Sequence, residues 1–319
     1  MNVTVLALEG VFDTGLAIVL DALTTANELG AGQTKAGAPF AISVVGLRRS
    51  VLSAQRFGVP VRPAAACPRP DLVIVPALGY KQAGPLLEAL KRADVVEAAK
   101  ALCAWRASGA QIAAACIGTF VLAESGMLDG HEATTTWWLT PLFRQLYPAV
   151  RLDTSRMLIS SGPFLTAGAA FSHMDMMLWL IRQFSPELAG LVARYLVVDQ
   201  RPSQAAYIIS DHLAHADPLV QRFDRWARDH LSEGFRLGAA AAAVGASTRT
   251  LTRRVREVIG KTPLSHVRDL RIERAVHLLK TTGTSVDRIA EAVGYVDGAT
   301  LRTLLRQRLK MGIREIRRA

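Results

Sequence analysis

Several features that would indicate other classes of protein are missing from this chain. Its 319 residues include three cysteines, Cys67, Cys103 and Cys116, which are too few and too far apart for a disulfide framework. No run of eighteen or more uncharged apolar residues predicts a transmembrane helix. The start, MNVTVLALEGVFD, has no basic region and reaches Glu9 early, which argues against a secretory signal. These absences favour a cytoplasmic protein without a membrane segment.

The positive charge of the chain is confined to its last third. Between Gln221 and Ala319 lie 21 of the 38 Lys and Arg and 10 of the 27 Asp and Glu, so this segment has a net charge of +11. The remaining residues hold 17 charges of each sign. A basic segment beside a neutral one is typical of a polyanion-binding module attached to another domain. The alternative is a basic surface that is merely solvated.

The basic segment contains one helix-turn-helix pattern twice. The two copies run from Leu237 to Gly260 and from Val286 to Leu309. Each has an Ala-rich amphipathic run, a Val-Gly pair, a short turn and a second helix rich in Arg and Thr. The glycine permits a left-handed turn, which sets the second helix across the first. That second helix is then placed to project polar side chains into a major groove of DNA.

The first two hundred residues alternate apolar, strand-like runs with amphipathic, helix-like runs. This alternation is typical of βαβ units and of a largely parallel sheet. A strand, a tight turn and a helix are predicted between Gln111 and Leu128, and a hairpin followed by a helix between Arg151 and Phe184. The other predicted strands are 3–8, 40–47 and 71–79, and the other predicted helices are 15–30 and 95–109.

The carboxy-terminal hundred residues resemble the DNA-binding domain of AraC-type transcriptional regulators. The resemblance is carried by RIERAVHLL followed by SVDRIAEAVGY, and it implies a joining helix from Pro263 to Thr282. The sequence departs from the family in KMGIREIRR, from Lys310 to Arg318, where a Gly-Xaa-Ser-Pro turn is usual. Leu301 and Leu305 also stand where the family commonly has Phe.

The amino-terminal two hundred residues resemble the PfpI-like, class I amidotransferase-like domain that is fused to such regulators (the GlxA type). The matching segments are VTVLALEGVFD, PDLVIVPALG, AACIGTFVLAESGMLDGHEATTTWW and TAGAAFSHMDMMLWLIRQF. The two resemblances together imply an α/β flavodoxin-like doubly wound parallel sheet over residues 1–199 and an all-α double helix-turn-helix domain over residues 219–319. Residues 200–218 are interpreted as a linker.

No metal and no cofactor are expected from the sequence. His212 and His215 are three residues apart near Asp211 and Asp217, a spacing that would suit a metal. No third ligand accompanies them, so a linker helix or a domain contact is the preferred interpretation.

Cys116 falls at the predicted junction of a strand and a helix, where PfpI-like hydrolases carry their nucleophile. The nearby helix N-terminus predicts a lowered thiol pKa. The usual partners are absent, because Ile117 replaces the hydrolases' His, Gly15 lies near the place of their carboxylate with only Asp13 close by, and Thr136 replaces a His common in the regulators. We therefore expect no enzyme activity, and the alternative for Cys116 is a small residue that fills a tight turn.

The carboxyl ends of the strands predict an effector site instead, because ligands bind there in open α/β sheets. The N–H groups of Ile117 and Gly118 could hold a carboxylate, and Trp137 or Trp138 could face a quaternary ammonium. Core packing is the alternative for both tryptophans. The predicted effector-binding residues are Asp13, Gly79, Cys116, Ile117, Gly118, Thr136 and Trp137.

The two recognition helices predict different contacts with DNA. In the first, Leu251 and Val255 must point inward, which leaves Arg249, Thr252 and Arg253 outward to read base edges. In the second, Leu301, Leu304 and Leu305 point inward, and the outward side chains are shorter. The first unit is therefore expected to supply more of the specificity. The predicted DNA-binding residues are Arg249, Thr250, Thr252, Arg253, Ala299, Thr300 and Thr303, with Arg254, Arg302 and Arg306 mainly on phosphate.

These observations predict a cytoplasmic, ligand-responsive transcriptional regulator. Its expected partners are promoter or operator DNA, a small-molecule effector, a second copy of the chain that pairs through the amino-terminal domain, and RNA polymerase. One alternative is a PfpI-like cysteine hydrolase or amidotransferase that also binds DNA. Another is an architectural DNA-binding protein with an inert amino-terminal domain.

Overall fold

The computed structural model describes residues 1–31, 38–198, 217–309 and 312–318. The chain divides into two compact units, residues 1–207 and 208–319. Most of the predicted linker, residues 200–218, lies outside the described residues, as do His212 and His215. The predicted domain boundaries therefore stay predictions.

A seven-stranded sheet forms the centre of the amino-terminal unit. In chain order the strands of this unit are β1 (Asn2–Leu6), β2 (Ala41–Gly46), β3 (Val51–Leu52), β4 (Gly58–Val59), β5 (Arg62–Pro63), β6 (Leu72–Val75), β7 (Gln111–Ala115), β8 (Glu132–Ala133), β9 (Arg151–Leu152), β10 (Leu158–Ser161) and β11 (Phe164–Ala167). The order within the large sheet is β10-β11-β7-β6-β1-β2-β5, and two further pairs, β3-β4 and β8-β9, stand apart from it.

The sheet is parallel except at one edge. β10 pairs antiparallel with β11, and the other neighbours in the sheet are parallel. The predicted α/β fold is thus confirmed, with the qualification that the predicted hairpin after Arg151 adds an antiparallel edge strand. A two-residue turn can join β10 to β11 only in this antiparallel sense.

Helices cover both faces of the sheet. They are α1 (Asp13–Gly30), α2 (Ala83–Leu90), α3 (Ala93–Ala107), α4 (Gly118–Ala123), α5 (Thr140–Leu146), α6 (Ser172–Phe184) and α7 (Pro186–Tyr195). All four residues of β6, Leu-Val-Ile-Val, are buried, as expected for a central parallel strand covered on both sides. Alternate residues of β6 enter two separate apolar clusters, one on each face.

The described part of the carboxy-terminal unit is helical. Its helices are α8 (Pro218–Asp229), α9 (Leu237–Ala243), α10 (Thr248–Ile259), α11 (Pro263–Thr281), α12 (Val286–Ala292), α13 (Gly298–Leu309) and α14 (Ile313–Arg318). Ser247, Thr262 and Ser285 cap α10, α11 and α12 by accepting a backbone N–H bond. The first helix-turn-helix unit is α9 with α10, the second is α12 with α13, and α11 is the predicted joining helix, one residue shorter than expected.

Two features are absent from the described residues. None of the helices there is both long and apolar enough to cross a bilayer. In the same ranges, no three His, Cys, Asp or Glu side chains converge as metal ligands would.

Candidate DNA interface and candidate effector cleft

The first recognition helix, α10, separates an apolar face from a basic one. Leu251 and Val255 are fully buried, as predicted from their spacing of four residues. Arg249 and Arg253 are exposed, and Thr252 is half-buried beside them. This arrangement gives the helix long hydrogen-bond donors on its outer face, which can pair with guanine O6 and N7.

Glu257, an acidic residue on α10, forms ion pairs with Arg253 and Arg254. Glu257 accepts a bond from Arg253 Nη1 at 2.8 Å and another from Arg254 Nη1 at 2.9 Å. Arg254 Nη2 also donates to Asp217, the residue that caps α8. Burial opposes ionisation of Asp217, but the Val220 N–H, the pairing with Arg254 and the Leu219 N–H together lower its pKa. Arg254 thus ties α10 to α8, and a phosphate would compete with two carboxylates for it.

Thr250 also has a partner within the helix. Its N–H donates to the Ser247 hydroxyl at 3.0 Å, and the two hydroxyls are 2.8 Å apart. The predicted base contact of Thr250 would therefore be made from the capping turn of α10.

The second recognition helix, α13, presents shorter side chains. Leu301 and Leu305 are fully buried, while Leu304, predicted to point inward, is half-buried. The exposed positions include Ala299, Thr300 and Thr303, together with Arg302 and Arg306. The Thr303 hydroxyl donates to the Ala299 carbonyl at 3.1 Å.

The sequence prediction missed a third arginine of α13. Arg308 Nη1 lies 2.7 Å from Asp269 on the joining helix. The two residues are 39 positions apart in sequence, so no helical spacing reveals the contact. The end of α13 is consequently held by an ion pair as well as by apolar packing.

Cys116 occupies a strained turn between β7 and α4, as predicted. Its φ of +55° is in the left-handed region, which non-glycine residues rarely adopt. Gly118 makes the turn sterically feasible, because a Cβ there would lie 2.2 Å from the Val75 carbonyl oxygen. The geometry is that of a nucleophile elbow.

The prediction of a lowered thiol pKa is wrong. Cys116 is 3% exposed, and burial raises the pKa of its thiol to about 12 despite the Ile117 N–H and the Thr136 hydroxyl, which act in the opposite direction. The thiolate form is disfavoured because burial in an apolar cluster removes its hydration. A helix of six residues, α4, does not compensate for this loss.

A buried histidine fills the place near Gly15. A Cβ on Gly15 would lie 2.7 Å from His173 Nε2. That nitrogen accepts the Ala77 N–H at 3.2 Å, and Nδ1 lies 2.5 Å from the Ala170 carbonyl oxygen. These partners fix the neutral tautomer with a proton on Nδ1, and burial lowers the pKa of His173 to about 4. His173 is therefore a structural group in this fold.

The predicted effector residues lie on the turns that follow β1, β6, β7 and β8. Cys116, Ile117, Gly118, Thr136 and Trp137 are buried. Ile117 N–H bonds the thiol, and Trp137 packs edge-on against Trp138 with the ring centroids 5.5 Å apart.

Two further predicted residues are only partly buried. Asp13 accepts the Gln55 N–H at 3.0 Å, and Gly79 N–H donates to the Gly10 carbonyl at 2.8 Å. A Cβ on Gly79 would lie 2.2 Å from the Ala54 Cβ. The predicted effector residues nearest the thiol are thus buried, and Asp13 and Gly79 are partly exposed.

Comparison with known proteins finds transcriptional regulators that are similar to this chain. Residues 240–319 match a family model described as a helix-turn-helix domain. The HTH-type transcriptional regulator GbdR of Pseudomonas aeruginosa is 27% identical over 192 residues, which is 59% of this chain and 52% of GbdR. The HTH-type transcriptional regulator GlxA of Rhizobium meliloti is 26% identical over 196 residues, 59% of each chain.

A solved structure supports the fold. A putative transcriptional regulator protein from Vibrio parahaemolyticus has a TM-score of 0.52 at 22% identity, and the match covers 61% of this chain and 98% of that one. The chain spans little more than half the length of the curated relatives it matches.

Proposed function

We propose that this chain, which is similar to HTH-type transcriptional regulators and resembles AraC-type regulators with an amino-terminal PfpI-like domain, binds specific sequences of double-stranded DNA and regulates transcription. The observation that carries this proposal is the pair of recognition helices, each packed by two buried leucine or valine side chains with Arg and Thr outward. Basic side chains supply phosphate contacts, and outward polar side chains supply base contacts.

We assign more of the sequence specificity to the first unit. Arg249 and Arg253 carry donors long enough to reach two acceptors on guanine, whereas Ala299, Thr300 and Thr303 do not. Arg254, Arg302 and Arg306 are assigned to the phosphate backbone. The assignment of Arg254 requires its ion pairs with Asp217 and Glu257 to open or to be shared with phosphate.

Selection from a library of random DNA duplexes tests the function directly. The full chain should enrich a defined sequence, and its affinity for that sequence should exceed its affinity for random DNA by about a thousandfold or more. Arg253→Ala should narrow this ratio, whereas Lys81→Ala, a change in the neutral amino-terminal unit, is the matched control. Equal affinity for selected and random DNA would exclude sequence-specific binding.

We further propose that the amino-terminal unit binds a small effector among the turns around Cys116. Two hydroxyls close to the turn, those of Thr119 and Thr136, are buried. The Thr136 hydroxyl interacts with the Cys116 thiol, and that of Thr119 has no hydrogen-bond partner among the described residues. A carboxylate would be held by the N–H groups of the turn once it displaced the Cys116 thiol from the Ile117 N–H. The indole of Trp137 suits an ammonium group. An effector carrying both groups fits these residues best.

Thermal unfolding with a panel of amino acids and quaternary ammonium carboxylates tests this proposal. A ligand at a hundred times its Kd should stabilise the unit by about 2.7 kcal/mol. Trp137→Phe, which keeps the bulk of the ring, should weaken this response, whereas Trp179→Phe in the opposite apolar cluster should leave it unchanged. A panel with no response in the wild-type chain would count against an effector site of this chemistry.

We also propose that the chain dimerises through its amino-terminal unit. Two copies would place two DNA readers on repeated half-sites, as dimeric regulators do. Sedimentation of the full chain, and of a truncation after residue 198, gives the test. A monomer in both samples at micromolar concentration would exclude this assembly.

Alkylation separates the regulator from the hydrolase alternative. The raised pKa of Cys116 predicts no reaction with iodoacetamide at pH 8 while the chain is folded. Cys103 is exposed and serves as the internal control. Rapid modification of Cys116 in the folded chain, located by mass spectrometry, would revive the enzymatic alternative.

A further inference from the structure

One arginine of the joining helix contacts both helix-turn-helix units. Arg271 Nη1 donates to the Gly294 carbonyl at 2.9 Å, in the turn of the second unit. Nη2 donates to the Glu233 carbonyl at 2.5 Å, in the segment that leads into the first unit. The guanidinium also lies over the ring of Tyr295, 5.6 Å from its centroid. A planar group with several fixed donors suits such a bridge better than a flexible ammonium.

The turn of the second unit packs directly on the segment before the first. Gly294 has a φ of +82°, and a Cβ there would lie 2.2 Å from the Leu231 carbonyl oxygen and 2.7 Å from Arg271 Nη2. The second unit thus meets the backbone next to α8 with no space for a side chain between them. Such a contact restricts the relative placement of the two helix-turn-helix units.

An acidic residue forms a second bridge two positions earlier. Asp269 pairs with Lys261, in the turn after the first recognition helix, at 2.6 Å. It also pairs with Arg308, at the end of the second recognition helix, at 2.7 Å. The Asp269 side chain is only 17% exposed, so water screens these pairs less than it screens an open surface pair.

A fixed separation between the two recognition helices matters because the base pairs of DNA repeat at a regular rise and rotation. One additional base pair moves the next contact by about 3.4 Å along the axis and rotates it by about 35°. Two recognition helices on a rigid frame can therefore engage only targets of matching spacing. Helices on a loose frame would tolerate several spacings and lose discrimination between them.

We propose that Arg271 is a positioning residue that sets the spacing between the DNA segments read by the two recognition helices, with Asp269 as the second tether. This proposal rests on the proposed function. It adds a specificity determinant that touches no base, because Arg271 acts through the placement of α10 and α13.

A distance measurement tests the frame without DNA. Spin labels are placed at the exposed residues Ala242 and Ala292 in the full chain, after Cys67→Ser and Cys103→Ser, and double electron–electron resonance gives the distance distribution. Arg271→Met keeps the apolar stem and removes the donors. We expect the distribution to broaden about twofold in Arg271→Met, and to keep its wild-type width in Arg274→Met, an exposed position one turn away on the same helix.

A binding measurement then tests the consequence for recognition. The wild-type chain first selects its site from random duplexes. A second duplex carries one extra base pair between the two segments that the recognition helices read. The insertion should weaken wild-type binding about tenfold, the scale of one lost base contact. In Arg271→Met this ratio should fall below about threefold, and in Asp269→Asn it should fall between the two values.

The two measurements distinguish a failure of the role of Arg271 from a failure of the proposed function. A wild-type chain that selects no sequence would overturn the proposed function, while the spin-label distances would still decide whether Arg271 fixes the frame. A narrow distribution in Arg271→Met, or an undiminished tenfold ratio, would overturn the role of Arg271. Circular dichroism spectra matching the wild type show that the variant has kept its helices.

Discussion

Gly245 and Gly294 occupy the same position in the two helix-turn-helix units, and both have a positive φ, +70° and +82°. A Cβ on Gly245 would meet no atom within 4 Å, whereas a Cβ on Gly294 would lie 2.2 Å from a backbone oxygen of Leu231. The first glycine is required only for its conformation. The second is required for its conformation and for the close approach of another segment.

The buried interiors of the two helix-turn-helix units also differ. Beneath the first unit, His266 Nε2 lies 2.6 Å from the Asp224 carboxylate, which also accepts a bond from Arg228 at 2.9 Å. The cluster beneath the second unit consists of apolar side chains among the described residues. A repeated sequence pattern therefore supports two designs: the first unit has a buried His–Asp pair within its apolar core and presents long donors, and the second is packed closely at its turn and presents short side chains.

Replacement of each turn glycine by alanine should give the largest difference in stability between the two units. Gly245→Ala should cost about 1–2 kcal/mol, the cost of a non-glycine residue in the left-handed region. Gly294→Ala adds steric overlap of about 1–3 kcal/mol, because a backbone oxygen cannot move aside as a side chain can, for a total of about 2–5 kcal/mol. Urea unfolding followed by circular dichroism measures both, and equal losses would refute the comparison.

Removal of the buried carboxylate should affect the first unit. Asp224→Ala leaves His266 and Arg228 without this acceptor and should cost about 3 kcal/mol, the lower end of the range for one partner of a buried pair, since the Arg228 side chain is 31% exposed. Leu301→Ala is the matched change in the apolar core, where a cavity accounts for the loss. Hydrogen exchange should show deprotection of α8 and α11 in Asp224→Ala. Unchanged protection of α8 and α11 would mean that the contact between Asp224 and His266 contributes little to the stability of the first unit.

DNA binding should distinguish the two recognition helices. Arg253→Ala should cost about 1–3 kcal/mol on the selected sequence and relax its sequence preference. Arg306→Ala should weaken binding to all sequences alike and reduce the slope of affinity against salt. Titrations of selected and random duplexes at several salt concentrations measure both effects. The division of roles fails if the two variants change specificity equally.

Glu257 offers a test in the opposite direction. Glu257→Gln removes a negative charge from the recognition face, releases Arg253 from its ion pair and leaves Arg254 paired with Asp217 alone. Binding should tighten by up to about fivefold, the scale of an exposed ion pair, and more at low salt. Glu291→Gln, on the exposed face of α12, is the control in the second unit. Weaker binding by Glu257→Gln would show that the pairs orient the arginines productively.

The smallest expected difference concerns the caps of the recognition helices. The Asp297 carboxylate accepts the Thr300 N–H at 2.7 Å, and this bond lowers the pKa of Asp297 from 3.8. The stabilisation is therefore present above pH 3.8 and is lost as the pH falls through the lower folded-state pKa. Ser247, the cap of α10, does not titrate. Asp297→Ser should reduce the fall of the melting temperature at acid pH. A melting temperature that falls with pH as steeply as in the wild type would count against this.

Local patterns were sufficient to predict the recognition helices. Leu251 and Val255 repeat at four residues, and Ser247 supplies a cap, so both the inward face and the start of α10 follow from sequence. The helix Ala83–Leu90 was missed, because eight residues form a helix only marginally without tertiary packing. Leu86 and Leu90 provide that packing in the fold.

Long-range contacts explain what sequence reasoning could not supply. The Arg254–Glu257 pair follows from a spacing of three residues, but the Asp217 partner of Arg254 is 37 residues away. The thiol pKa of Cys116 was predicted from its helix alone and is set instead by the apolar cluster around it. In each case the determining group lies on another element of the fold.

The contact between Gly15 and His173 limits which side chains position 15 can hold. A carboxylate placed at position 15 would meet the imidazole at its first side-chain atom, 2.7 Å away. Replacing His173 first would leave the buried Ala77 N–H without its acceptor, at a cost of about 1–3 kcal/mol. Neither single change is tolerated readily, so a side chain at position 15 would require two substitutions that arrive together.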